Sequence, residues 1–546
     1  MEQNTQGSER STGPLVWVVG LVIGAHMATA WLGRAIGLLV TEDDARYILL
    51  ARALRDAAYH DLFTVGLPGH SMYPPGYPAL LAVWGALFGE GFQTYIALNV
   101  LLSGAALWIL FLALRKLVST DLAALCIVAL AANSLLIVRA GTVRSEIPFV
   151  FFLALFAWAV AGDRISGRHL LVAAFAALAA ALTRSLGAAV PLALMAHFLL
   201  ERRYKALITF GGLALVTVGA WQLWTISAAA DASASTNYVT AAVSGWEDPP
   251  DAGLFGVVLD RFSRNGTRYS HVLPGQMFPT VPGTPIDNAI ALLLWVGGLL
   301  AGGWFLMRRW RPAVLTIAII APVLGVWPYW HGRFVEPFLP LIVPCVLLGV
   351  WFLAGRMRRS WRTPVMYALG AIIAVTGVVR TARELKARND CDEFSLSSPP
   401  SCLAVDTQSF LRAVDYVNRS VPEDAIFVSA KPSPLYYYTG RPSISYKIPR
   451  RASSSTDFAA LLRDHEVGFV LLGSVHFTEP EALLTGLVSA CEELSVEAHF
   501  PPRTYLLRVL EDIEPDVERN ACESLGQYRE ANVDRDFGLG WPPPVR

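Results

Sequence analysis

Eleven apolar segments dominate the sequence, and they are candidates to cross the hydrocarbon core of a bilayer as helices, although several are shorter than the roughly 20 residues that a span needs. Only 16% of the residues are charged, whereas a soluble domain has about 25%. The fold class predicted is therefore a polytopic α-helical membrane protein with about 11 transmembrane helices. These helices are predicted at 14–40, 94–114, 122–138, 147–162, 169–183, 186–200, 206–225, 289–307, 313–330, 334–355 and 364–380.

Basic residues in the short loops orient the predicted helices, because Lys and Arg accumulate on the cytoplasmic side. Five such loops each follow an even-numbered helix: Arg115-Lys116, Arg164 to Arg168, Arg202-Arg203-Lys205, Arg308-Arg309-Arg311 and Arg356 to Arg362. We therefore expect a cytoplasmic tail at 1–13, a membrane domain at 14–381 and outer loops at 41–93 and 226–288. The location implied is the cytoplasmic (inner) cell membrane.

The segment at 382–546 differs in character from the membrane domain and is predicted to be an extracytoplasmic α/β domain. Short apolar runs at 424–430 and 467–473 are typical of strands, and 405–418 and 479–494 have helical spacing. Four of the six cysteines lie here, which favours an oxidising compartment. Of the three pairings, Cys391–Cys402 with Cys491–Cys522 is preferred.

The first outer loop opens with three consecutive acids, Glu42, Asp43 and Asp44, where the first helix leaves the bilayer. Carboxylates at a helix start often cap free backbone N–H groups. Three together at a membrane surface also suit catalysis, since one carboxylate could remove the proton of an attacking hydroxyl.

A proline-rich turn follows in the same loop, in HSMYPPGYPALLAVWGALFG at 70–89. Its prolines, Pro75 among them, fix the backbone and delay the next helix, which is predicted to be interfacial or re-entrant. Tyr73 could stack on a sugar or lipid headgroup, although an interfacial aromatic belt needs no ligand. In the C-terminal segment, the tyrosines at 436–438 could form a glycan platform, but a buried strand is the preferred interpretation.

Ionisable residues at the ends of distant helices are all predicted at the same outer membrane level as these acids. Charged groups near lipid are costly and tend to face a polar cavity or one another. Guanidinium groups hold phosphate through two hydrogen bonds, whereas snorkelling and internal ion pairs are the alternatives. The shared level predicts one anion site built from Arg144, Glu146, Arg184, His331, Arg333 and Glu336.

The chain offers little support for other chemistry. It has no HExxH or GxxxxGK[ST] motif, and its formal net charge of zero gives no case for nucleic acid. Asp43 and Asp44 alone make an incomplete Mg²⁺ or Ca²⁺ site, so no metal is expected to be obligatory, although one is not excluded. A transporter or lipid flippase is the main alternative function, and a membrane scaffold that displays the C-terminal domain is a second.

With these motifs in place, the sequence resembles the GT-C superfamily of membrane glycosyltransferases. It is most similar to the bacterial branch that includes protein O-mannosyltransferases and the lipid A aminoarabinose transferase. The resemblance rests on DDARYILLARAL at 43–54 and YPPGYPALLAVWGALFG at 73–89. SEIP at 145–148, TR at 183–184 and RFVEPFLP at 333–340 add to it, and it covers residues 14–355.

The resemblance implies inverting transfer of a sugar from a polyprenyl-phosphate donor to an extracytoplasmic hydroxyl of a lipid, glycan or protein acceptor. By position, Asp43 would be the catalytic base, and Asp44, at a position where relatives often have Glu, a second catalytic carboxylate. Arg46 and Tyr47 would support the loop. One departure bears on the substrate. Tyr73 and Pro74 stand where the aminoarabinose transferase has a charged pair, which argues against an aminoarabinose donor.

Overall fold

A computed structural model describes residues 12–38, 42–162, 165, 167–229, 253–278, 285–328, 331–357, 359–389, 391, 394–429, 431–444, 455–473, 481–510 and 521–533. Up to residue 389 the described part is helical. Its helices are α1 (Thr12–Leu32), α2 (Glu42–Arg55), α3 (Gly76–Phe88), α4 (Phe92–Arg115), α5 (Thr120–Ala131), α6 (Ser134–Ala140), α7 (Glu146–Ala159), α8 (Gly167–Thr183), α9 (Ala189–Leu200), α10 (Tyr204–Ala229), α11 (Leu254–Met277), α12 (Pro285–Leu306), α13 (Arg311–Val326), α14 (Leu339–Met357) and α15 (Arg362–Asn389).

Six of the described helical segments are long and apolar enough to cross a membrane, and a seventh qualifies if α5 and α6 form one bent span. The other predicted spans correspond to shorter apolar helices, namely α7, α8, α9 with the 3₁₀ turn before it, and α13. Helix α3, predicted to be interfacial or re-entrant, is also short and apolar. The count of eleven spans and their orientation therefore stay predictions. The first span is shorter than predicted, because α1 ends at Leu32 and not near residue 40.

The predicted helix at 122–138 is broken, and α5 and α6 meet at an angle of 62°. Asn133 explains the break, because its side-chain oxygen accepts hydrogen bonds from the Leu135 and Leu136 N–H groups at the start of α6. His26 of α1 compensates the end of α5 by bonding the Ala131 carbonyl at 2.8 Å. The break directs α6, and Arg139 near its end, toward the candidate site.

Glycines let α12 pack closely against α14, which follows the segment that carries Arg333. A Cβ on Gly302 would lie 1.8 Å from the Cys345 carbonyl oxygen, and one on Gly349 would lie 1.8 Å from the Gly298 oxygen. Only glycine permits such an approach of two backbones, as is common where membrane helices meet. The start of α14 is thereby fixed against the rest of the bundle.

Beyond residue 389 a mixed four-stranded sheet is packed with helices. Strands β1 (Ile426–Ser429), β2 (Val467–Leu472), β3 (Leu494–Phe500) and β4 (Thr504–Val509) lie in the order β1-β2-β4-β3, and only β1 and β2 are parallel. The helices are α16 (Val405–Ser420), α17 (Pro432–Thr439), α18 (Ser455–Asp464), α19 (Glu481–Ser489) and α20 (Cys522–Val533). The preferred disulfide pairing, Cys391–Cys402 and Cys491–Cys522, is confirmed.

The sheet is joined directly to the segment predicted to be the first outer loop. The Ser443 N–H donates to the Phe63 carbonyl at 2.9 Å, and the Val65 N–H donates to the Ser443 carbonyl at 3.0 Å. On its other side the 442–444 segment bonds β1 through Phe427. The loop that carries the acids and the proline turn is therefore fixed by the C-terminal sheet.

Two expectations about outer segments need correction or extension. The tyrosines at 436–438 do not form a strand, because they lie in the helix α17, which starts with Pro432 and ends at the left-handed Gly440. The predicted outer loop at 226–288 contains the last residues of α10, the 24-residue helix α11 and the start of α12. Residues 230–252 of this predicted loop, Trp246 among them, lie outside the described residues.

Candidate active site

Asp43, in the first turn of α2, lies between a tyrosine and an arginine that come from distant parts of the chain. Arg333 Nη2 lies 2.8 Å from Asp43 Oδ2. The Tyr73 hydroxyl donates to Asp43 Oδ1 at 2.5 Å. The Asp43 side chain is 16% exposed, so it is partly open while both of its oxygens are engaged. The first acidic motif, the proline turn and the segment before α14 therefore meet at one carboxylate.

A second ion pair lies beside the first. Arg184, between α8 and the 3₁₀ turn before α9, has its Nη1 3.0 Å from Glu146 Oε1 and donates to Ser145 Oγ at 2.9 Å. The Tyr47 hydroxyl also donates to Ser145 Oγ, at 2.8 Å. Glu146 is buried, and its carboxylate is paired with Arg184. Because a buried charge needs its partner, this pair holds the Arg184 guanidinium in one orientation.

Arg184, Arg333, Tyr47, Tyr73 and Ser145 border a small open cleft. Its described lining combines two guanidinium groups, hydroxyl groups and an apolar wall. The lining residues are Tyr47, Tyr73, Pro74, Ser145, Thr183, Arg184, Ser185, Leu186, Trp327, Arg333 and Phe334. Such a surface suits a ligand that has an anionic group, a polar ring and a hydrocarbon chain.

Two further arginines lie behind the cleft. Arg139 donates to both carboxylate oxygens of Glu336, at 2.7 and 3.2 Å, in a buried pair. Arg144 is 3% exposed, and its backbone carbonyl accepts a hydrogen bond from the Asn99 amide at 3.1 Å. The charge of Arg144 acts on both Asp43 and Asp44. The site therefore has an excess of positive charge in a poorly solvated region.

The two neighbouring aspartates differ sharply in environment. Burial raises the pKa of the Asp43 carboxyl, but the Arg333 and Arg144 charges and the Tyr73 hydrogen bond outweigh it and hold that pKa below its usual range. Asp44 is 1% exposed, and burial raises its pKa to about 7, although Arg144 and the Ala45 N–H oppose the change. Asp43 is therefore ionised at neutral pH, whereas Asp44 titrates near neutral pH.

We expect Asp44→Asn to stabilise the protein at alkaline pH. The pKa of Asp44 is raised from 3.8 to about 7 in the folded protein. The protonated carboxyl therefore favours the folded state at pH values below 3.8, and this contribution to stability is lost as the pH rises through 7. The amide keeps the acceptor for the Ala45 N–H but removes the charge. The gain in free energy of unfolding should be on the order of 1–3 kcal/mol near pH 8 and should shrink toward pH 5. Thermal unfolding at both pH values measures it, with the exposed Asp56→Asn as control; equal shifts at both pH values would contradict the expectation.

Solved structures of other proteins resemble the fold of this chain. No family model and no curated protein matches the sequence. ArnT from Cupriavidus metallidurans, bound to undecaprenyl phosphate, superposes with a TM-score of 0.53 at 15% identity, over 91% of this chain and 99% of that one. Its apo state gives a TM-score of 0.57 at 15% identity, over 90% and 97%.

The archaeal oligosaccharyltransferase AglB from Archaeoglobus fulgidus, in complex with an inhibitory peptide and a dolichol-phosphate, also superposes. Its TM-score is 0.51 at 14% identity, over 92% of this chain and 75% of that one. Both neighbours are GT-C glycosyltransferases. The chain has the GT-C fold. The resemblance suggested by the acidic loop and the proline turn is thus confirmed at the level of the fold.

Within this GT-C fold, some predicted site residues lie near the cleft without lining it. Arg46 is buried, with its guanidinium 5.1 Å from the Phe63 ring centroid and 5.7 Å from that of Tyr73. Pro75 precedes α3 and is not among the described lining residues, whereas Pro74 is. His331 Nδ1 accepts from the Arg333 N–H at 3.1 Å, so it caps the turn that presents Arg333.

The remaining predictions for the candidate site have a mixed outcome. Neither Asp43 nor Asp44 is among the described residues that line the cleft, although Asp43 contacts two that do, Tyr73 and Arg333. The catalytic roles of both aspartates stay predictions. Glu42 begins α2, but its side chain lies outside the described part. The described residues include no group of three or more His, Cys, Asp or Glu that could hold a metal ion, and metal dependence is left as predicted from the sequence.

Several residues at or behind the candidate site were not singled out from the sequence. Arg139 had a signal, because a charge inside the apolar run SLLIVRA needs a buried partner. Asn99, which fixes the backbone at Thr142 and Arg144, is an amide side chain within the apolar helix α4. Asp61 and His70 had no signal in spacing, and their pairing is visible only in the folded loop.

Proposed function

We propose that the chain is a glycosyltransferase that moves a hexosyl or pentosyl group from a polyprenyl-phosphate donor to an extracytoplasmic hydroxyl acceptor. The observation that carries this proposal is the contact between Asp43 and Arg333, with Arg184 on the same open cleft. A carboxylate beside two guanidinium groups supplies a proton acceptor next to an anion site. A transporter would not need that arrangement.

The donor phosphate would bind Arg184 and Arg333, whose guanidinium groups line the cleft. Both arginines rest on carboxylates, Glu146 and Asp43, which hold them in place before the donor arrives. Arg144 would add charge from behind without contacting the ligand. The apolar wall of Leu186 and Phe334 suits the first isoprene units of a lipid that enters sideways from the bilayer.

In the proposed reaction the acceptor oxygen forms a bond to the anomeric carbon as the bond from that carbon to the phosphate oxygen breaks. The acceptor proton passes to Asp43, and the electron pair of the broken bond leaves with the polyprenyl phosphate. The transition state resembles an oxocarbenium ion, and attack opposite the leaving group inverts the anomeric centre. The positive charge of the arginines beside the phosphate stabilises the departing anion, an effect worth on the order of 3 kcal/mol per hydrogen-bond donor.

Donor binding would also activate the base. Without donor, the Arg333 charge holds the pKa of Asp43 low, which makes the carboxylate a weak proton acceptor. The phosphodiester of the donor carries one negative charge, and when it shares Arg333 it offsets that positive charge. The pKa of Asp43 then rises, and basicity appears only when the donor is in place.

The fold neighbours support the class of donor, because ArnT was observed with undecaprenyl phosphate and AglB with a dolichol-phosphate. Positive-inside loops support a site on the outer face of the inner membrane. Two disulfides in the C-terminal segment favour the same side, since disulfides persist in oxidising compartments.

Binding of the lipid carrier tests the anion site without knowledge of the sugar. Undecaprenyl phosphate is titrated against purified protein by native mass spectrometry. The double variant Arg184→Gln/Glu146→Gln removes the cation without leaving a lone buried carboxylate and should bind roughly 10–100-fold more weakly, because a charge-assisted hydrogen bond is lost. The matched control is Arg311→Gln/Glu201→Gln at an exposed ion pair. Equal affinity of both double variants would contradict the site.

Transfer itself is tested with radiolabelled hexosyl- and pentosyl-polyprenyl phosphates and a cell-envelope extract as acceptor. The proposal predicts label in the acceptor and stoichiometric release of polyprenyl phosphate. In proteoliposomes, movement of intact donor between leaflets without release would instead identify a flippase.

A further inference from the structure

His70 and Asp61 form a closed pair inside the first outer loop. The Asp61 carboxylate lies 2.6 Å from His70 Nδ1, and the two side chains are 0% and 2% exposed. On the other side of the ring, Nε2 accepts the Tyr73 backbone N–H at 2.8 Å. An Nε2 that accepts carries no proton, so the ring proton is on Nδ1 and is donated to Asp61. The carboxylate thereby selects one tautomer of His70.

The backbone around His70 is held at both ends. The Tyr59 hydroxyl donates to the Tyr73 carbonyl at 2.7 Å, and the Trp224 indole N–H donates to the His70 carbonyl at 2.9 Å. The Tyr59 ring also packs edge-on against the His70 imidazole. A buried polar network is rigid when all of its members are hydrogen-bonded. Removal of one partner leaves another group buried without a hydrogen bond, which is energetically costly.

This rigid turn determines where the Tyr73 side chain points. Pro74 and Pro75 follow directly and restrict the backbone, so the position of the Tyr73 amide fixes its Cα–Cβ direction. The Tyr73 ring packs on Tyr47 at 4.9 Å between centroids, and its hydroxyl ends on Asp43. A hydrogen-bond path therefore runs from Asp61 through His70 and Tyr73 to the proposed base.

The other end of the path is fixed by the C-terminal sheet. Asp61 lies in a turn closed by its own N–H to the Pro68 carbonyl and by the Thr64 N–H to the Asp61 carbonyl. Two residues later the chain pairs with Ser443 at the edge of the sheet. The carboxylate that selects the tautomer is thus positioned from outside the membrane helices.

We propose that Asp61 and His70 are a positioning dyad that holds Tyr73 so that its hydroxyl orients the Asp43 carboxylate for proton transfer. This inference rests on the proposed role of Asp43. Neither member of the dyad lines the cleft among the described residues, so both act through Tyr73. A misplacement of about 1 Å can lower a rate about 100-fold, which gives such a dyad a measurable effect.

Asp61→Asn tests the dyad with little change of shape. The new amide at position 61 can donate to His70 Nδ1, so the ring proton can move to Nε2. Nε2 then carries a hydrogen that opposes the Tyr73 backbone N–H, and the hydrogen bond between them is lost. We expect kcat to fall roughly 10–100-fold while the KM for donor stays within about twofold, because the arginines are untouched. Combined with Tyr73→Phe, the loss should be far from additive, since both changes break one path.

The matched control is His60→Asn, a histidine on the same loop outside the path, compared with His70→Asn. Hydrogen exchange of the peptide around Tyr73 gives a readout independent of catalysis. His70→Asn and Asp61→Asn should accelerate exchange there, whereas His60→Asn should not.

The outcomes separate the two proposals. Wild-type protein without transferase activity, in which exchange at Tyr73 responds as expected, would overturn the function and retain the dyad as a device that positions Tyr73. Active protein in which Asp61→Asn leaves kcat unchanged, or lowers it additively with Tyr73→Phe, would overturn the dyad. An equal loss in His60→Asn would do the same, because it would show a general effect on the loop.

Discussion

Asp43→Asn is expected to lower kcat for sugar transfer by roughly 10²–10⁴-fold, because the amide cannot accept the proton of the acceptor hydroxyl. The substitution preserves shape and an oxygen that the Tyr73 hydroxyl can donate to. Donor binding should persist and become tighter, since Arg333 no longer rests on a carboxylate in the absence of donor. A fall in rate with a rise in affinity is a signature that simple damage to the fold does not give.

Single-turnover transfer from a radiolabelled polyprenyl-phosphate sugar, with donor affinity from native mass spectrometry, measures both effects. The exposed Asp56→Asn in the same loop is the control and should change neither quantity. Transfer by Asp43→Asn at the wild-type rate would remove Asp43 from the base role. Loss of donor binding would place Asp43 among the residues that hold Arg333 in position.

The sequence predicted the components of this site better than their contacts. Helix count and basic loops predicted a shared membrane level for Asp43, Arg184 and Arg333. Arg184 and Arg333 line one cleft, and Asp43 contacts Arg333. Which aspartate of the acidic pair contacts Arg333 and Tyr73 did not follow from the sequence. Asp43 and Asp44 are adjacent on a helix, about 100° apart, and only tertiary packing decides which one is buried.

Local structure was predictable where one periodicity dominates and failed where two local preferences compete. Helix α16 and strands β1 and β2 lie where hydrophobic spacing placed them. The tyrosines at 436–438 suggested a strand because aromatic residues favour strands, but Pro432 and Gly440 bracket a short helix. The break between α5 and α6 depends on a single cap, Asn133, inside an apolar run that otherwise indicates one span.

Arg139 and Glu336 provide the second large effect, which should appear in stability. Their side chains are only 9% and 2% exposed and share two hydrogen bonds. Removal of either partner leaves a desolvated charge without compensation, so Arg139→Leu or Glu336→Leu should each lower the free energy of unfolding by about 3–5 kcal/mol. Arg419→Leu, at an exposed pair with Asp415, should change it by less than about 1 kcal/mol.

The double variant Arg139→Leu/Glu336→Leu separates the contribution of the pair from the penalty of breaking it. Because an apolar pair of similar volume needs no desolvation, the double variant should recover most of the stability lost in either single variant. Denaturation in mixed micelles of all four proteins gives the coupling free energy. Additive losses would show that the two charges are solvated independently. Recovered stability with transfer lost would instead show that the field of Arg139 and Glu336 reaches the cleft, where it affects Arg333 as the donor phosphate binds.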